Sequence, residues 1–254
     1  MRGIDDDEGP FRQGDHILRP VRPWTAGVQA LLAALRAHGF TEAPMPAGHD
    51  ATWEKVSFLP GLSGDLDTCE DMRSLGVLRS AASLLRRYHD CSALFVGQFA
   101  AASPWQLPAR MPAEVFCHGD FAPYNIVLND GMATGIIDFE TVHPGPRGWD
   151  LAYAIYRWAP LSTAVAAQMG GLHEQIDRAS IFLDAYDFPL KQRRMLPDML
   201  VERLQALVGF MEGEAARGVE KYRRDLQDGH DRIYRRDIAY IAEHRDEILA
   251  GLEG

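Results

Sequence analysis

A β-hairpin near the middle of the chain constrains the fold more than any other feature. Asn125–Leu128 and Met132–Ile137 are short apolar runs of the kind that form strands. Asn129-Asp130-Gly131 lies between them, and these residues tolerate the positive φ angles that a tight turn requires. The second strand therefore returns Asp138 toward Asp120, which precedes the hairpin. We expect these two carboxylates to meet in one site.

The polar side chains at the open end of this hairpin form a defined chemical set. Asp120 is followed five positions later by Asn125 and eighteen positions later by Asp138, and Glu114–Cys117 reads as a buried strand that leads into the loop. A kinase-type site needs a carboxylate as base for the attacking hydroxyl and two oxygen ligands for magnesium. The spacing therefore predicts a small-molecule phosphotransferase.

The length and charge of the chain narrow the classes of partner. Its 254 residues suffice for one large domain or for two modest lobes that share a cleft. The formal net charge of −10 argues against nucleic acid, because phosphate contacts need basic patches. The same charge is compatible with a cationic small-molecule substrate or simply with solubility.

The chain shows no pattern typical of secretion or membrane insertion. Its three cysteines are widely spaced and fit neither a disulfide framework nor a zinc site. Residues 1–10 are acidic and lack the apolar run of a signal peptide, and no segment approaches the roughly 20 apolar residues that span a bilayer. We expect a cytoplasmic protein without membrane contact; the oligomeric state is left open.

The first part of the chain predicts a small lobe of strand, helix and strand. Asp15–Val21 reads as a strand, and Thr25 is the predicted N-cap of an amphipathic helix. Gly39 lies where that helix needs a left-handed residue at its C-terminus. Thr52–Leu59 reads as the next strand and ends at Pro60-Gly61.

The rest of the chain predicts a larger, mainly helical lobe around the catalytic hairpin. Pro197 suits the first turn of one helix, and a single final helix is expected to carry Tyr234 and Ile248. We therefore predict a bilobal α+β fold. Residues 1–60 would form a reduced nucleotide-binding lobe, and residues 61–254 would form the lobe with the catalytic and metal-binding loops.

Three short motifs carry a resemblance to a known family. In combination, His118–Asn125, Ile137-Asp138 and Pro144–Ala152 resemble the aminoglycoside phosphotransferase and choline kinase family. Weaker similarity runs from about Asp15 to Trp158. The resemblance implies a protein-kinase-like fold and transfer of a phosphoryl group from ATP to a small-molecule hydroxyl, with GTP left open as donor.

The resemblance also implies roles for five side chains. Asp120 would be the general base that orients and deprotonates the acceptor hydroxyl. Asn125 and Asp138 would hold Mg²⁺ through oxygen atoms. His118 and Asp150 would support the catalytic loop, Asp150 by accepting hydrogen bonds from its backbone N–H groups.

The nucleotide-binding side departs from the family pattern. Kinases place a lysine on a strand before the first helix and a glutamate on that helix. Lys55 is the first of only three lysines and comes after the helix, which contains no acidic residue. Arg19, on the preceding strand, is the predicted substitute for the lysine, and Arg22 is a weaker candidate.

Other nucleotide contacts are poorly marked in the sequence. Gly9 and Gly14 flank four residues where a glycine-rich loop would lie, but the acidic residues before them are poor strand formers. We therefore expect a reduced nucleotide lobe. The resemblance alone implies that adenine bonds to backbone between Ser57 and Leu59.

Two other functions fit the same residues. A kinase for choline, homoserine or a sugar would use the same catalytic set, and an aromatic box of Tyr153, Tyr156 and Trp158 would favour a quaternary ammonium. At that spacing, these aromatic residues are more typical of a core. The other alternative is a non-catalytic nucleotide- or ligand-binding pseudokinase, suggested by the missing lysine–glutamate pair. Retention of all three catalytic polar groups argues against it.

Overall fold

The computed structural model of the protein describes three stretches of the chain, residues 9–99, 104–163 and 169–254. The chain separates into two compact units, residues 1–150 and 151–254. This division falls inside helix α4 (Arg147–Trp158). The predicted lobe boundary after residue 60 stays a prediction.

A four-stranded antiparallel sheet opens the first unit. Its strands follow the spatial order β1-β2-β4-β3 and are β1 (Phe11–Gln13), β2 (His16–Pro20), β3 (Pro46–His49) and β4 (Trp53–Ser57). Strands β2 and β4 confirm the two predicted strands with shorter ends. Strand β1 fills the segment between Gly9 and Gly14, so no glycine-rich loop lies there. A strand before Gly9 would fall on residues outside the described stretches.

Helix α1 (Thr25–Ala37) follows β2 and buries one apolar face. It is followed by Gly39 at a φ of 90°, as predicted. The predicted N-cap at Thr25 is wrong, because the carbonyl of Trp24 already accepts the first helical bond, from Val28. The Oγ1 of Thr25 instead accepts a hydrogen bond of 2.9 Å from the N–H of Arg22.

The predicted β-hairpin is confirmed as an element of the fold. It consists of β6 (Ile126–Asn129) and β7 (Met132–Ile136), which pair in antiparallel register. Asp130 and Gly131 form its turn with φ angles of 50° and 71°. An isolated bridge between Leu62 and Leu128 ties the hairpin to the segment that follows the four-stranded sheet.

Helix α2 (Leu75–Ala93) is the central helix of the first unit. The Oγ of Ser74 caps it by accepting a bond of 3.1 Å from the N–H of Val77, and the helix packs against β7 and β5. A short helix, α3 (Val96–Phe99), follows. Strand β5 (Val115–Cys117) was predicted, but its antiparallel partner β8 (His143–Gly145) was not, because proline and glycine are rare in strands.

The second unit is helical where it is described. After the end of α4, its helices are α5 (Leu172–Tyr186), α6 (Leu190–Arg193), α7 (Leu196–Ala216), α8 (Glu220–Gln227), α9 (His230–Glu243) and α10 (Arg245–Glu253). Pro197 lies in the first turn of α7, as predicted. The predicted single final helix is wrong, because His244 leaves helical geometry and separates α9 from α10. Among the described helices, none has the length and apolar character needed to cross a membrane.

Candidate active site

Asp120 and Asn125 form the first half of the site, in the loop between β5 and the hairpin. The Nδ2 of Asn125 donates 2.9 Å hydrogen bonds to the backbone oxygen and to the Oδ2 of Asp120. The hydroxyl of Tyr124 donates to the other carboxylate oxygen, Oδ1, at 2.7 Å. Because the amide nitrogen of Asn125 faces Asp120, its amide oxygen is left as a ligand for a cation.

Asp138 forms the second half, directly after β7. It adopts left-handed backbone angles (φ 60°, ψ 69°), and about half of its side chain is exposed. The N–H of Ile137 donates to the backbone oxygen of Asn125 at 2.9 Å, which fixes the two candidate ligands in one local frame. The hairpin thus positions Asp138 beside the Asp120 loop, as its turn residues predicted.

Asp150 holds the backbone of the loop that leads into Asp120. Its carboxylate is fully buried and accepts hydrogen bonds from the N–H groups of His118 (2.7 Å) and Gly119 (2.9 Å) and from the Nε2 of His89 (3.0 Å). Burial by itself would raise the pKa of Asp150, but the bond from His89, the nearby histidines and the Gly119 N–H lower it to about 2. Burial lowers the pKa of His89 despite this carboxylate, so His89 is a neutral donor at pH 7.

The loop is further fixed by His118 and Gly119. The Nε2 of His118 bonds to the carbonyl of Ile137 at 2.9 Å, and its ring packs edge-on against Phe139. Gly119 has a φ of 81°, and a Cβ there would lie 2.5 Å from the carbonyl oxygen of Thr141. The supporting positions predicted for His118 and Asp150 match these contacts.

The nucleotide-side candidate Arg19 reaches the same place from the four-stranded sheet. Its Nη1 lies 3.4 Å from the Oδ1 of Asp138. Its Nε and Nη2 bond to both carboxylate oxygens of Glu54, at 2.6 and 3.2 Å. Burial works against the charge of Arg19, but the hydrogen bond and charge of Glu54, with the charges of Asp138 and Glu140, raise its pKa further above the usual value.

The segment predicted to bind adenine is partly occupied by the sheet. The N–H of Ser57 donates to the carbonyl of Met45 and that of Phe58 to the carbonyl of Asp15, both at 2.8 Å. The N–H groups of Ser57 and Phe58 are therefore already paired within the first unit, and the predicted adenine contact at Ser57 and Leu59 stays a prediction.

The candidate metal ligands suit magnesium by their chemistry. Asn125 and Asp138 offer an amide and a carboxylate oxygen, the donor types that Mg²⁺ prefers, and Mg²⁺ ordinarily keeps several waters and phosphate oxygens as further ligands. No group of three or more histidine, cysteine or acidic side chains suited to a metal occurs in the described stretches. Any metal bound here would therefore depend on phosphate and water for the rest of its shell.

The aromatic residues considered for a cation box lie in the second unit. Tyr153, Tyr156 and Trp158 are all nearly or fully buried, and the hydroxyl of Tyr156 donates to the Oδ2 of buried Asp237 at 2.8 Å. This burial favours the interpretation as a core.

Three residues that contact the predicted set were missed in the sequence. Tyr124 adjoins Asn125 but carried no motif of its own, and Glu54 and His89 become visible only through a strand pairing and a helix contact. Pairing the two predicted strands in the register that places Arg19 opposite Glu54 would have identified Glu54.

Comparison with known proteins places the chain among phosphotransferase-like relatives. Residues 96–181 match the model of the phosphotransferase enzyme family. A trifolitoxin immunity protein from Rhizobium leguminosarum bv. trifolii is 32% identical over 202 residues, which cover 75% of this chain and 74% of that protein.

Solved structures show the same fold at low identity. A choline/ethanolamine kinase family protein from Mesorhizobium loti is 14% identical with a TM-score of 0.61, over 96% of this chain and 88% of that chain. An aminoglycoside phosphotransferase from Streptomyces rimosus, in complex with ADP and streptomycin, is 18% identical with a TM-score of 0.51, over 76% and 86%.

The fold and the relatives together define a protein-kinase-like α+β fold of the kind found in aminoglycoside phosphotransferases and choline/ethanolamine kinases. The chain belongs to the phosphotransferase enzyme family. The resemblance noted in the sequence is thereby confirmed.

Proposed function

We propose that the protein transfers the γ-phosphoryl group of ATP to a hydroxyl of a small polar molecule, with Asp120 as the base. The observation that carries the proposal is the convergence of Asp120, Asn125 and Asp138, joined by the Asn125–Asp120 bonds of 2.9 Å and by the Ile137–Asn125 backbone bond. We further propose that it acts in the cytoplasm, without nucleic acid or membrane as partner.

The reaction follows from the position of the Asp120 carboxylate. Asp120 accepts the proton of the acceptor hydroxyl while the acceptor oxygen forms a bond to the γ-phosphorus. The bond from that phosphorus to the β,γ-bridging oxygen breaks, and ADP leaves with the electron pair. Asn125 orients the base through its two bonds to Asp120, and Arg19 supplies a fixed positive charge for the phosphates.

Asn125 and Asp138 are the residues that would hold Mg²⁺. The ion, when bound, would neutralise charge on the phosphate oxygens. GTP is a second donor to be tested beside ATP.

The acceptor is proposed to be an aminoglycoside-like molecule, with choline, homoserine or a sugar as the alternative class. The 32% identity to a protein named as an immunity protein favours a further acceptor, a hydroxyl on a toxic compound that phosphorylation would inactivate. Transfer of a phosphoryl group to a harmful small molecule would be consistent with both the immunity protein and the aminoglycoside phosphotransferases.

A transfer assay tests the proposal. The full chain is incubated with ATP labelled at the γ-phosphate, with and without Mg²⁺, and with panels of aminoglycosides, amino alcohols, sugars and trifolitoxin. We expect Mg²⁺-dependent label on at least one acceptor hydroxyl and its loss in Asp120→Asn.

The matched control is Asp130→Asn, the same chemical change at the exposed hairpin turn, where asparagine tolerates the φ of 50°. This variant should keep full transfer. Turnover by Asp120→Asn equal to that of the control would refute the role of the base. ATP binding without transfer to any panel member would favour the non-catalytic alternative.

A further inference from the structure

We infer that Glu54 is a positioning residue of the nucleotide site: it orients the Arg19 guanidinium toward the phosphate-binding position, and Gln29 holds Glu54 in place. Glu54 lies opposite Arg19 in the register of β2 and β4. The inference rests on the proposed function, since it assigns Arg19 a nucleotide to bind.

The guanidinium of Arg19 contacts two carboxylates, those of Glu54 and Asp138. Two of its nitrogens, Nε and Nη2, face the two oxygens of Glu54 at 2.6 and 3.2 Å, which is the forked geometry of a strong arginine–carboxylate pair. The third nitrogen, Nη1, points to Asp138 at 3.4 Å. Glu54 therefore fixes the plane and the direction in which Arg19 presents its remaining donors.

Gln29 fixes the glutamate in turn. Its Nε2 donates to the Oε1 of Glu54 at 2.7 Å and to the carbonyl of Lys55 at 3.2 Å, and its Oε1 accepts from the N–H of Gly48 at 3.0 Å. Gln29 is on α1, the helix on which kinases carry the glutamate of their lysine–glutamate pair. In this chain the acid lies on a strand, and the helix supplies a neutral amide that braces it.

The burial of this group indicates a directional role. Glu54 is 2% exposed, and a buried ion pair contributes little net stability compared with apolar side chains of similar size. The Arg19 side chain is 15% exposed, and that of Asp138, 3.4 Å from its Nη1, is 51% exposed. A buried acid that holds a partly open arginine beside an open carboxylate suits the capture of phosphate.

A double-mutant cycle on MgATP binding and turnover tests the inference. The variants are Arg19→Gln, Glu54→Gln and the double variant, each measured by calorimetry and by steady-state kinetics with an acceptor that the transfer assay identifies. We expect Glu54→Gln to raise the Kd and KM for MgATP about tenfold while kcat changes less than about threefold. The double variant should bind MgATP no more weakly than Arg19→Gln, because Glu54 acts through Arg19.

The control is Asp198→Asn, which removes another forked arginine–carboxylate pair, with Arg245 at 2.6 and 2.7 Å, from the second unit. It should leave MgATP binding unchanged. Additive losses in the double variant, or an unchanged KM in folded Glu54→Gln, would overturn the inference. If Glu54→Gln fails to fold, Glu54→Asp replaces it, because aspartate keeps the charge but is shorter by one methylene. Unchanged MgATP binding in Glu54→Asp would then overturn the inference.

Failure of the proposed function gives a different pattern. If wild-type protein and Asp138→Asn show the same lack of Mg²⁺-dependent ATP binding, the nucleotide site itself is refuted, and the inference with it. If Asp138→Asn loses binding while Glu54→Gln keeps it, the site stands and only the role of Glu54 is refuted.

Discussion

The catalytic hairpin and the four-stranded sheet build their functional groups in different ways. Around the hairpin, Asp120, Asn125 and Asp138 lie within nineteen residues of one another in sequence. In the sheet, Arg19 and Glu54 are 35 positions apart in sequence and meet because β2 pairs with β4. The groups proposed for transfer are thus encoded locally, whereas the proposed phosphate contact depends on strand register.

This difference gives a physical reason why the departure from the kinase pattern lies in the sheet and not around the hairpin. Magnesium ligation and proton acceptance each need a particular oxygen atom at a particular position, so few substitutions preserve them. Phosphate binding needs a positive charge held in a suitable direction, and arginine and lysine each supply it when a partner of matching geometry holds them. An arginine held by a strand glutamate can supply that charge as well as a lysine held by a helix glutamate.

The largest expected effect separates the two regions kinetically. Asp120→Asn should lower kcat by about 10³-fold and leave the KM for ATP unchanged, because general-base catalysis typically contributes about 10²–10⁴-fold. Arg19→Lys should instead raise the KM for ATP, since the ammonium lacks the fork that fits Glu54. Steady-state kinetics with ATP varied measures both, and the same pattern of change in the two variants would contradict the division of roles.

The second effect concerns the stability of the catalytic loop. Asp150→Ala should lower the free energy of unfolding by about 3 kcal/mol, because it leaves the N–H groups of His118 and Gly119 buried without their acceptor. Urea unfolding at pH 7 measures this. Asp246→Asn, at a side chain that is 95% exposed, is the control and should change stability by less than about 0.5 kcal/mol. Equal stabilities for the two variants would refute the buried anchor.

The third effect is the pH dependence that this anchor produces. The pKa of Asp150 is lowered from 3.8 to about 2 by folding, so its contribution of about 2 kcal/mol is present above pH 4 and is lost as pH falls toward 2. The lowered pKa of His89 adds a further loss of folding stability that begins below about pH 6.5. In that range the imidazole binds a proton more readily in the unfolded chain than in the folded chain.

Urea unfolding from pH 7 to pH 2.5 tests this prediction. The stability difference between wild-type protein and Asp150→Asn should shrink across the range from pH 4 downward. A stability difference that stays constant over this range would show that the Asp150 carboxylate is no better stabilised in the folded state than in the unfolded state.

The smallest effect belongs to the hydroxyl of Tyr124. Tyr124→Phe removes a hydrogen bond of 2.7 Å to the Oδ1 of Asp120 while Asn125 still orients Oδ2. A bond to a charged group contributes roughly 1.5 kcal/mol, so kcat should fall by about tenfold or less. A loss as large as that of Asp120→Asn would mean that Tyr124, rather than Asn125, orients the base.

Local patterns in the sequence predicted the parts of the structure that short-range geometry determines. Asp130 and Gly131 predicted the hairpin turn, and Gly39 predicted the end of α1. The protein-kinase-like fold followed from three motifs in combination. The N-cap of α1 was misplaced by one residue, because a threonine near a helix start is as suited to the first turn as to the cap.

Features that depend on distant partners were not predictable in the same way. Strand β8 contains proline and glycine, and it is a strand only because β5 lies beside it. The break between α9 and α10 at His244 carries no glycine or proline to mark it. Nothing in the sequence distinguishes Glu54 from other acidic residues in strands, because its contact with Arg19 depends on the pairing of β2 with β4. The missing glutamate was therefore expected only on α1.

Calorimetric titration of ATP into the full chain, with and without Mg²⁺, asks whether the hairpin and Arg19 form a working nucleotide site. We expect Mg²⁺-dependent binding in the wild-type protein, its loss in Asp138→Asn, and full retention in Asp130→Asn. ATP binding that is the same without Mg²⁺, or that survives in Asp138→Asn, would refute the proposed site.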